Sequence, residues 1–224
     1  MTVAEAVGRA GGMTLAGLFG VLARLRGSRA LHPVGVCGTA DLRTSPDGES
    51  GVRLLDDPGP HPCLVRWSRA TGRRGEGYDI EGLALRVWGA AAGDLLFAST
   101  GTGVVGRHVL TLRRLRDHGP VTTLLPLSTR SGPLLLRLDP VEAPGAGGPP
   151  TAYRLLVSAP GRPWHERGRL TVTWTDGDCT RRHNPVGHPP AGAWTHPLWA
   201  RLRGPSYAAS QQVAADPITT EEIP

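Results

Sequence analysis

The stretch LALRVWGAAAGDLLFAS, residues 83–99, contains two short β-rich segments separated by a cluster of glycine and alanine. Similar segments recur along the chain between glycine, proline and aspartate clusters, as HPVGVCGTADLR, GVRLL, CLVRWS, LLLRL, AYRLLVS and RLTVTW. Repeated short strands with few helices between them are typical of an antiparallel sandwich or barrel. The sequence therefore predicts a mainly β (α+β) fold, an antiparallel sheet with a few flanking helices.

Length and composition fit one globular domain with short appendages. The chain has 224 residues, and its 31 glycines and 21 prolines are scattered among apolar runs, which argues against global disorder. We expect an amphipathic N-terminal helix over residues 1–28, the folded domain over 29–215 and a flexible tail over 216–224. The apolar stretch GGMTLAGLFGVLARL is shorter than the about 20 residues that span a bilayer. We therefore expect a cytoplasmic protein without stable membrane insertion.

Charge and cysteine content bear on the partners and the redox state. The formal net charge is +6 and no lysine occurs. This bias, together with abundant alanine, glycine and proline, indicates a GC-rich coding sequence more than a nucleic-acid surface. Cys37, Cys63 and Cys179 are far apart and form no C-x-x-C pair, which predicts neither a zinc site nor a disulfide framework. We expect reduced, packed cysteines and no nucleic-acid partner.

The hexamer GTGVVG, residues 101–106, follows DLLFAST and precedes RHVLTLRRLRDH, which predicts a strand, a glycine turn and a helix over residues 107–117. In that setting a G-x-G-x-x-G hexamer suggests a dinucleotide site. The acidic residue expected about 20 positions later is missing, although Arg130 offers a cation for a 2′-phosphate. The chain also lacks the regular alternation of strands and helices that a doubly wound fold needs. We therefore disfavour a dinucleotide site.

Four short motifs follow one another along the chain: RALHPVGVCGT, LVRWSRATG, YDIEGLALRVW followed by GDLL, and RGPSY. In this order and spacing they resemble the haem catalase superfamily. There an R-x-x-H-x-x-G stretch opens the barrel, R-[FW]-S and D-x-x-G-[FL]-A strands follow, and an R-x-x-x-Y helix supplies the iron ligand. The resemblance covers residues 29–210. It implies an antiparallel catalase-like β-barrel that binds haem b, with the haem-ligand tyrosine on a C-terminal helix.

The resemblance assigns His32 and Ser68 to the distal side of the haem. His32 would take the proton from the bound peroxide oxygen and return it to the departing oxygen, a task that suits an imidazole with a pKa of about 6.5. Ser68 would hold the second ring nitrogen by a hydrogen bond and fix the tautomer. Taken singly, a histidine at a strand start and a strand hydroxyl are ordinary structural residues. Arg29, three positions before His32, and the R-W-S motif favour the functional interpretation.

The same resemblance assigns Tyr207, Arg203, Arg29 and Arg66 to the iron and to the haem propionates. Tyr207 would bind the iron as a phenolate, although a free tyrosine has a pKa of about 10. Ferric iron and Arg203, one helical turn earlier on the same face, both favour the anion. Arg29 and Arg66 match propionate-binding arginines, whose planar fork suits a carboxylate. Without haem, these arginines are ordinary strand charges and Tyr207 is an ordinary packing residue of a helix.

The chain departs from the catalase pattern at two positions. Ala98 or Ser99 stands where the distal asparagine is expected, and Ser99 or Thr100 would substitute only partly for the lost amide in positioning peroxide. Ala214 stands where a third propionate-binding arginine is expected. With less than half the usual catalase length, the chain resembles the small catalase-related proteins.

These features predict a haem enzyme that activates hydrogen peroxide or an organic hydroperoxide. We expect it to be more like a peroxidase or peroxygenase than a strong catalase, with a small-molecule reductant or substrate as its partner. Three alternatives remain open: a non-catalytic haem carrier or sensor, a hydroperoxide-rearranging enzyme of the allene oxide synthase type, and a haem-free interaction module. The expected N-terminal helix and the missing C-terminal helical domain favour a homodimer.

Overall fold

A computed structural model describes most of the chain between its two terminal segments. The described residues are 34–45, 48–70, 77–114, 117–142, 148–179, 183–197 and 199–200. The predicted N-terminal helix, the tail and both predicted domain boundaries lie outside these residues. So do the predicted site residues Arg29, His32, Arg203 and Tyr207, together with Ala214.

Strands dominate the described residues, and eight of them close into one antiparallel barrel. In chain order the strands are β1 (Val34–Thr44), β2 (His61–Arg69), β3 (Tyr78–Asp79), β4 (Glu81–Val87), β5 (Gly93–Ser99), β6 (Arg113–Arg114), β7 (Val121–Thr122), β8 (Ser128–Thr129), β9 (Leu135–Glu142), β10 (Ala152–Ser158), β11 (His165–Trp174) and β12 (Ala193–Trp194). Around the barrel the order is β1-β11-β10-β9-β7-β5-β4-β2, while β3 pairs with β6 and β8 with β12. The predicted mainly β, antiparallel barrel is confirmed.

Helical structure is sparse in this part of the chain. It includes the short helix α1 (Arg53–Asp56) and 3-10 turns at Gly89–Ala91 and Gly106–His108. Among the described residues, no helix has the length and the apolar character needed to cross a lipid bilayer.

Strand β1 closes the barrel, because it pairs with β2 on one side and with β11 on the other. Gly38 of β1 faces Val65 of β2 and Trp174 of β11, and Leu42 faces Leu170 of β11. Both neighbours run antiparallel to β1. From Gly38 to Leu42 the sheet therefore has no free edge at this strand, because it is paired on both sides.

Side chains along each strand alternate between the barrel interior and its outer surface. On β2, Val65 and Trp67 belong to the core, whereas Arg66 and Ser68 occupy the alternate positions. The largest fully buried side chains of the interior are Leu42, Leu83, Leu85, Leu95, Leu136, Leu138, Tyr153, Leu155 and Leu170. Burial of each such leucine is worth about 1.5–3 kcal/mol, so the packed interior supplies the main driving force for the fold.

Strands β4 and β5 form a hairpin built from the stretch 83–99. Leu83 pairs with Phe97 and Leu85 with Leu95, so the apolar residues of both strands face the same interior. The small residues between the strands include the 3-10 turn that begins at Gly89, whose φ is +78°. Glycine adopts this conformation without strain, and the glycine and alanine cluster is therefore a turn between two antiparallel strands.

The prediction of a strand at GVRLL, residues 51–55, is wrong. This segment leads into helix α1, in which Leu54 and Leu55 are fully buried. The Asp56 carboxylate accepts hydrogen bonds of 2.8 Å from the backbone N–H groups of Ser50 and Gly51. A run of five residues is too short for its periodicity to separate a strand from a buried helical turn. The hydrogen bonds from the Ser50 and Gly51 N–H groups to the Asp56 carboxylate favour the helical turn.

The predicted helix over residues 107–117 is also wrong in the described part of that range. After the 3-10 turn at Gly106–His108, Leu110 forms a bridge to Thr100 and the chain continues as the short strand β6. Arg107 is buried, and its guanidinium donates hydrogen bonds to groups near the end of β10. Tertiary contacts therefore override the local helical pattern here.

The cysteine prediction is wrong for two of the three residues, because Cys37 and Cys179 form a disulfide across 142 positions of sequence. The chain after β11 runs beside β1, where Cys37 donates its backbone N–H to the Gly177 carbonyl at 2.9 Å and accepts from the Thr175 N–H at 2.8 Å. This alignment brings the two sulfurs together. Cys63 is a buried free thiol on β2, and burial raises its pKa to about 12.

This thiol arrangement predicts an alkylation pattern that intact-mass spectrometry can measure. We expect no labelling of the native protein at pH 8, because Cys63 is buried and its thiol stays protonated. Denaturation without reductant should expose one reactive thiol, and denaturation with reductant should expose all three. Cys63→Ser is the matched control and should remove the single label. Two or more labels without reductant would contradict the disulfide.

Candidate functional site

Ser68, Gly82 and Ala98 form one row across three neighbouring strands of the barrel. Ser68 on β2 pairs with Gly82 on β4, which pairs with Ala98 on β5. Residues directly opposite each other share a face of the sheet, and this face is the outer one because the alternate residues fill the core. No side chain in the row is larger than a hydroxymethyl group. Ser68 and Gly82 are nevertheless buried, with Ser68 only 5% exposed, so the row is largely covered on this face.

Arg66 lies two residues before Ser68 on β2 and shares its outer face. Its Nε and Nη2 donate hydrogen bonds of 2.7 Å to the two carboxylate oxygens of Asp178. The guanidinium also covers Gly35 of β1, where an added Cβ would lie 2.8 Å from the guanidinium carbon. Glycine at this position therefore leaves the space in which the arginine fork is held.

The Asp178 carboxylate occupies the fork that the catalase resemblance assigns to a haem propionate. The hydrogen bond from Arg66 is the main cause that lowers the pKa of Asp178, and burial opposes it. The two side chains are 16% and 34% exposed, so the pair lies at the surface. Arg66 is thus oriented to hold a carboxylate, and a carboxylate of the same chain fills that position.

Ser99 does not share the outer face with Ser68. Its hydroxyl donates to the Thr111 carbonyl at 2.7 Å and accepts from the Glu81 backbone N–H at 3.2 Å. Thr100 is buried as well, and its hydroxyl donates to Thr122 Oγ1 at 3.2 Å. On this face the position expected for the distal asparagine is therefore Ala98, and the structure does not bring Ser99 next to Ser68.

Four predicted site residues, Arg29, His32, Arg203 and Tyr207, lie outside the described residues. Their grouping with Ser68 and Arg66 stays a prediction.

Sequence reasoning missed a charged cluster on the same outer face, centred on Asp94 of β5. Asp94 is fully buried, and its carboxylate accepts two hydrogen bonds of 2.8 Å from Arg86 and one of 2.7 Å from the Asn184 backbone N–H. His188 Nδ1 lies 3.6 Å from the same carboxylate. The partners of Asp94 are distant in sequence, and the only signal was the abundance of histidine and proline after residue 183.

The pKa of Asp94 reflects opposing effects. Burial raises it, but the hydrogen bonds from Arg86 and Asn184, together with the charges of Arg86 and His183, outweigh burial and bring the pKa below 3.8. The same surroundings act on His183, whose pKa falls to about 4, mainly through burial, while Asp94 opposes the effect of Arg86 and Arg66. A neutral imidazole therefore lies within electrostatic reach of Arg66 at pH 7.

The glycine hexamer 101–106 forms a closed loop rather than a nucleotide site. An added Cβ on Gly101 would lie 3.1 Å from the Cα of Gly106, so the two glycines let the loop ends approach each other. A single 3-10 turn follows the loop, and no α-helix starts there in the described residues. A pyrophosphate site of this type uses the N–H groups of a helix start, whereas the described residues directly after the loop form a 3-10 turn.

The described residues fit one half of the haem site that the resemblance implies. The row Ser68, Gly82 and Ala98 carries only small side chains on one face, although Ser68 and Gly82 are buried there. The propionate contact fits only if a propionate shares or displaces Asp178 on Arg66. Arg66 would therefore bind a haem propionate, and Ser68 would orient the distal histidine.

No model of a known protein family matches this chain, and no curated protein sequence matches it.

The buried Arg86 and Asp94 pair predicts a pH-dependent contribution to stability. Asp94→Asn should lower the free energy of unfolding by about 3–5 kcal/mol at pH 7, because it leaves a guanidinium without its buried anion. The folded-state pKa of Asp94 is lowered, so its contribution is complete above the unfolded value of 3.8 and is lost as the pH falls through the folded value. Urea unfolding at pH 7 and pH 3 measures both effects.

The matched control is Glu166→Gln. This carboxylate is 56% exposed and lies 3.8 Å from Arg154, so its loss should cost about 0–1 kcal/mol. Equal losses at both pH values for Asp94→Asn would contradict the electrostatic account.

Proposed function

We propose that this protein is a haem-dependent enzyme that activates hydrogen peroxide or an organic hydroperoxide. The observation that carries the proposal is the shared outward placement of Arg66 and Ser68 on one strand of a closed antiparallel barrel, beside Gly82 and Ala98. The catalase resemblance assigns one of these residues to a propionate and the other to the distal histidine. Both roles require the two side chains to lie on the same face of the sheet, as Arg66 and Ser68 do on β2.

In this proposal the residues of the chain bind the cofactor and move one proton. Haem, when bound, supplies the redox chemistry that cleaves the peroxide O–O bond. Tyr207 holds the iron as a phenolate, and Arg203 favours that anion. His32 accepts the proton of one peroxide oxygen on one ring nitrogen and returns it to the other oxygen. The hydroxyl of Ser68 accepts a hydrogen bond from the second ring N–H and so fixes the tautomer.

Ala98 directs the proposal toward peroxidase-type chemistry. Its methyl group neither donates nor accepts a hydrogen bond, so the residue opposite Gly82 offers no amide to position peroxide beside His32. Peroxide would still be cleaved after proton transfer, but a second peroxide would be oriented poorly. We therefore favour oxidation of an organic partner over rapid disproportionation of hydrogen peroxide.

A haem carrier or sensor is the second candidate, and the Arg66 and Asp178 pair favours it. An arginine already bound to a carboxylate of its own chain at 2.7 Å offers a propionate weaker anchoring. Such a protein would bind haem through Tyr207 and exchange it. The two candidates differ in their response to peroxide.

A haemin titration followed by hydrogen peroxide tests the proposal. We expect saturable one-to-one binding with a Soret band, and a spectral change and turnover of an organic reductant on peroxide addition. Tyr207→Phe should remove or radically alter the spectrum, whereas Tyr78→Phe, at an exposed tyrosine of β3, should leave it unchanged. In loaded protein, His32→Gln should lower turnover about 10²-fold or more, because a positioned acid and base is lost.

Three outcomes would overturn parts of the proposal. Absence of a Soret band after titration would exclude haem binding. An unchanged spectrum in Tyr207→Phe would overturn the ligand assignment. Stable haem loading without any response to peroxide would favour the carrier.

Ala98→Asn tests the missing amide. In haem-loaded protein this variant should raise oxygen release from hydrogen peroxide by about tenfold or more, because it places a hydrogen-bonding amide in the row of Ser68. Leu96→Asn is the matched control, since it puts the same amide on the same face opposite Ala84. A Clark electrode measures oxygen release. Equal rates for both variants and the unmodified protein, at equal haem content, would contradict the assignment of Ala98.

A further inference from the structure

A polar pocket lies on the inner side of β2, the strand that carries Ser68, and of its neighbour β4. It is located where β2 and β5 end and where β4 and β7 begin, and Trp67, Glu81, Arg113 and His118 line it. Trp67 and Glu81 are buried, whereas Arg114 and Asp117 at the rim are exposed. The pocket therefore has a buried base and a rim that reaches solvent.

The Glu81 carboxylate organises the base of this pocket. Its Oε1 accepts a hydrogen bond of 2.7 Å from Trp67 Nε1 and one of 2.9 Å from His118 Nδ1. An indole nitrogen only donates, and a carboxylate only accepts. The Nδ1 atom of His118 must therefore carry a proton. In the neutral ring, the lone pair that can accept a hydrogen bond is then on Nε2.

His118 Nε2 and Arg113 Nη1 are buried and lack hydrogen-bond partners among the described residues, and Arg113 Nη1 has an ion-pair contact of 4.0 Å with Glu81 Oε2. The His118 side chain is only 4% exposed. Arg113 is fixed beside it, since its Nη2 donates to the carbonyl oxygens of Thr100 and Pro120 at 2.7 and 2.6 Å. Buried polar groups are almost always paired. One acceptor and one donor in the same small pocket therefore indicate a ligand that satisfies both.

The size of the pocket favours a single oxygen atom at the base, and the lining carries no net formal charge. The cavity volume is about 10 Å³, which is enough for one oxygen atom or water molecule at the base. The charged residues of the lining are Arg69, Asp79, Glu81, Arg113, Arg114 and Asp117. Their three positive and three negative charges balance, so the pocket gives no net attraction for an ion.

We propose that this pocket binds the hydroxyl group of a small neutral molecule, either an alcohol or a hydroperoxide. Arg113 Nη1 donates a hydrogen bond to the hydroxyl oxygen, and the hydroxyl proton is donated to His118 Nε2. A carbonyl or carboxylate oxygen satisfies only the arginine, and an ammonium group satisfies only the histidine. The remainder of the molecule extends past the rim. Glu81 is a positioning residue that keeps the His118 lone pair directed at the hydroxyl.

The site does not depend on haem, because its residues face the barrel interior and Ser68 faces the opposite side of β2. A failure of the haem proposal would leave it intact, and the reverse is also true. The test can therefore use the purified full chain without cofactor.

Nitrogen-15 NMR of the His118 ring and of the Trp67 indole N–H provides the measurement, with tert-butanol, tert-butyl hydroperoxide and pivalate as probes of equal bulk. We expect saturable shifts of both signals with the alcohol or the hydroperoxide when the His118 ring is neutral, and loss of binding when the same spectra show the ring protonated. The tighter of the two hydroxyl probes identifies the source of the group. Pivalate should bind at least about tenfold more weakly, since it lacks the donated proton.

Variants separate a binding site from a structural cluster. His118→Phe should weaken binding about tenfold or more through the lost hydrogen bond, whereas His165→Phe, at an exposed residue of β11, should not change it. Glu81→Gln should shift the His118 nitrogen signals toward a mixture of tautomers and alter the pH profile of binding. The proposal is overturned if the neutral ring shows no saturable shift, if pivalate binds more tightly as the ring is protonated, or if His118→Phe binds normally.

Discussion

Closure of the sheet through β1 is the constraint on which the rest of the structure depends. Because β1 is paired with β2 on one side and β11 on the other, every barrel strand has a fixed inside and outside. Trp67 then packs in the core while its neighbours Arg66 and Ser68 face outward. The same closure places two candidate sites back to back on β2 and β4. The row that contains Ser68 lies on the outer face, and the pocket around Glu81 lies on the inner face.

Arginine forks bound to carboxylates are the main polar contacts of the outer face. Arg66 binds Asp178 and Arg86 binds Asp94, each through two hydrogen bonds below 3 Å. Bidentate pairs of this kind fix the direction of the guanidinium as well as its position. The chain contains no lysine, so these cationic contacts are made by arginine, whose planar fork is directional. This geometry holds the segment after β11 against the strands that carry the candidate haem site.

Short β-rich segments between glycine, proline and aspartate clusters were sufficient to predict a mainly β antiparallel fold, as a sandwich or a barrel, and the resemblance to catalases specified the barrel. The boundaries of the elements, and the face of the sheet on which each side chain lies, were harder to predict from the sequence. The helix expected after Arg107 is absent from the described residues because that arginine is buried against β10. The choice between Ala98 and Ser99 could not be made from sequence, since one residue of register moves a side chain to the other face.

The contacts within the candidate sites could not be predicted from the sequence, because they join residues that are far apart in the chain. Glu81 and His118 are 37 residues apart, and Arg66 and Asp178 are 112 apart, with no motif that links the members of either pair. The disulfide between Cys37 and Cys179 was missed because its two ends become neighbours only when β11 lies beside β1. Ser68 and Arg66 could be predicted to lie close together because one short motif contains both residues.

The disulfide also changes what a break in the chain means for this molecule. Strands β2 to β11 all lie between Cys37 and Cys179, so the sheet that is closed by hydrogen bonds is also closed by a covalent ring. A single peptide bond cut in any loop of that ring leaves both pieces attached. New termini placed in one of the loops between Cys37 and Cys179 would therefore still yield one covalently connected barrel.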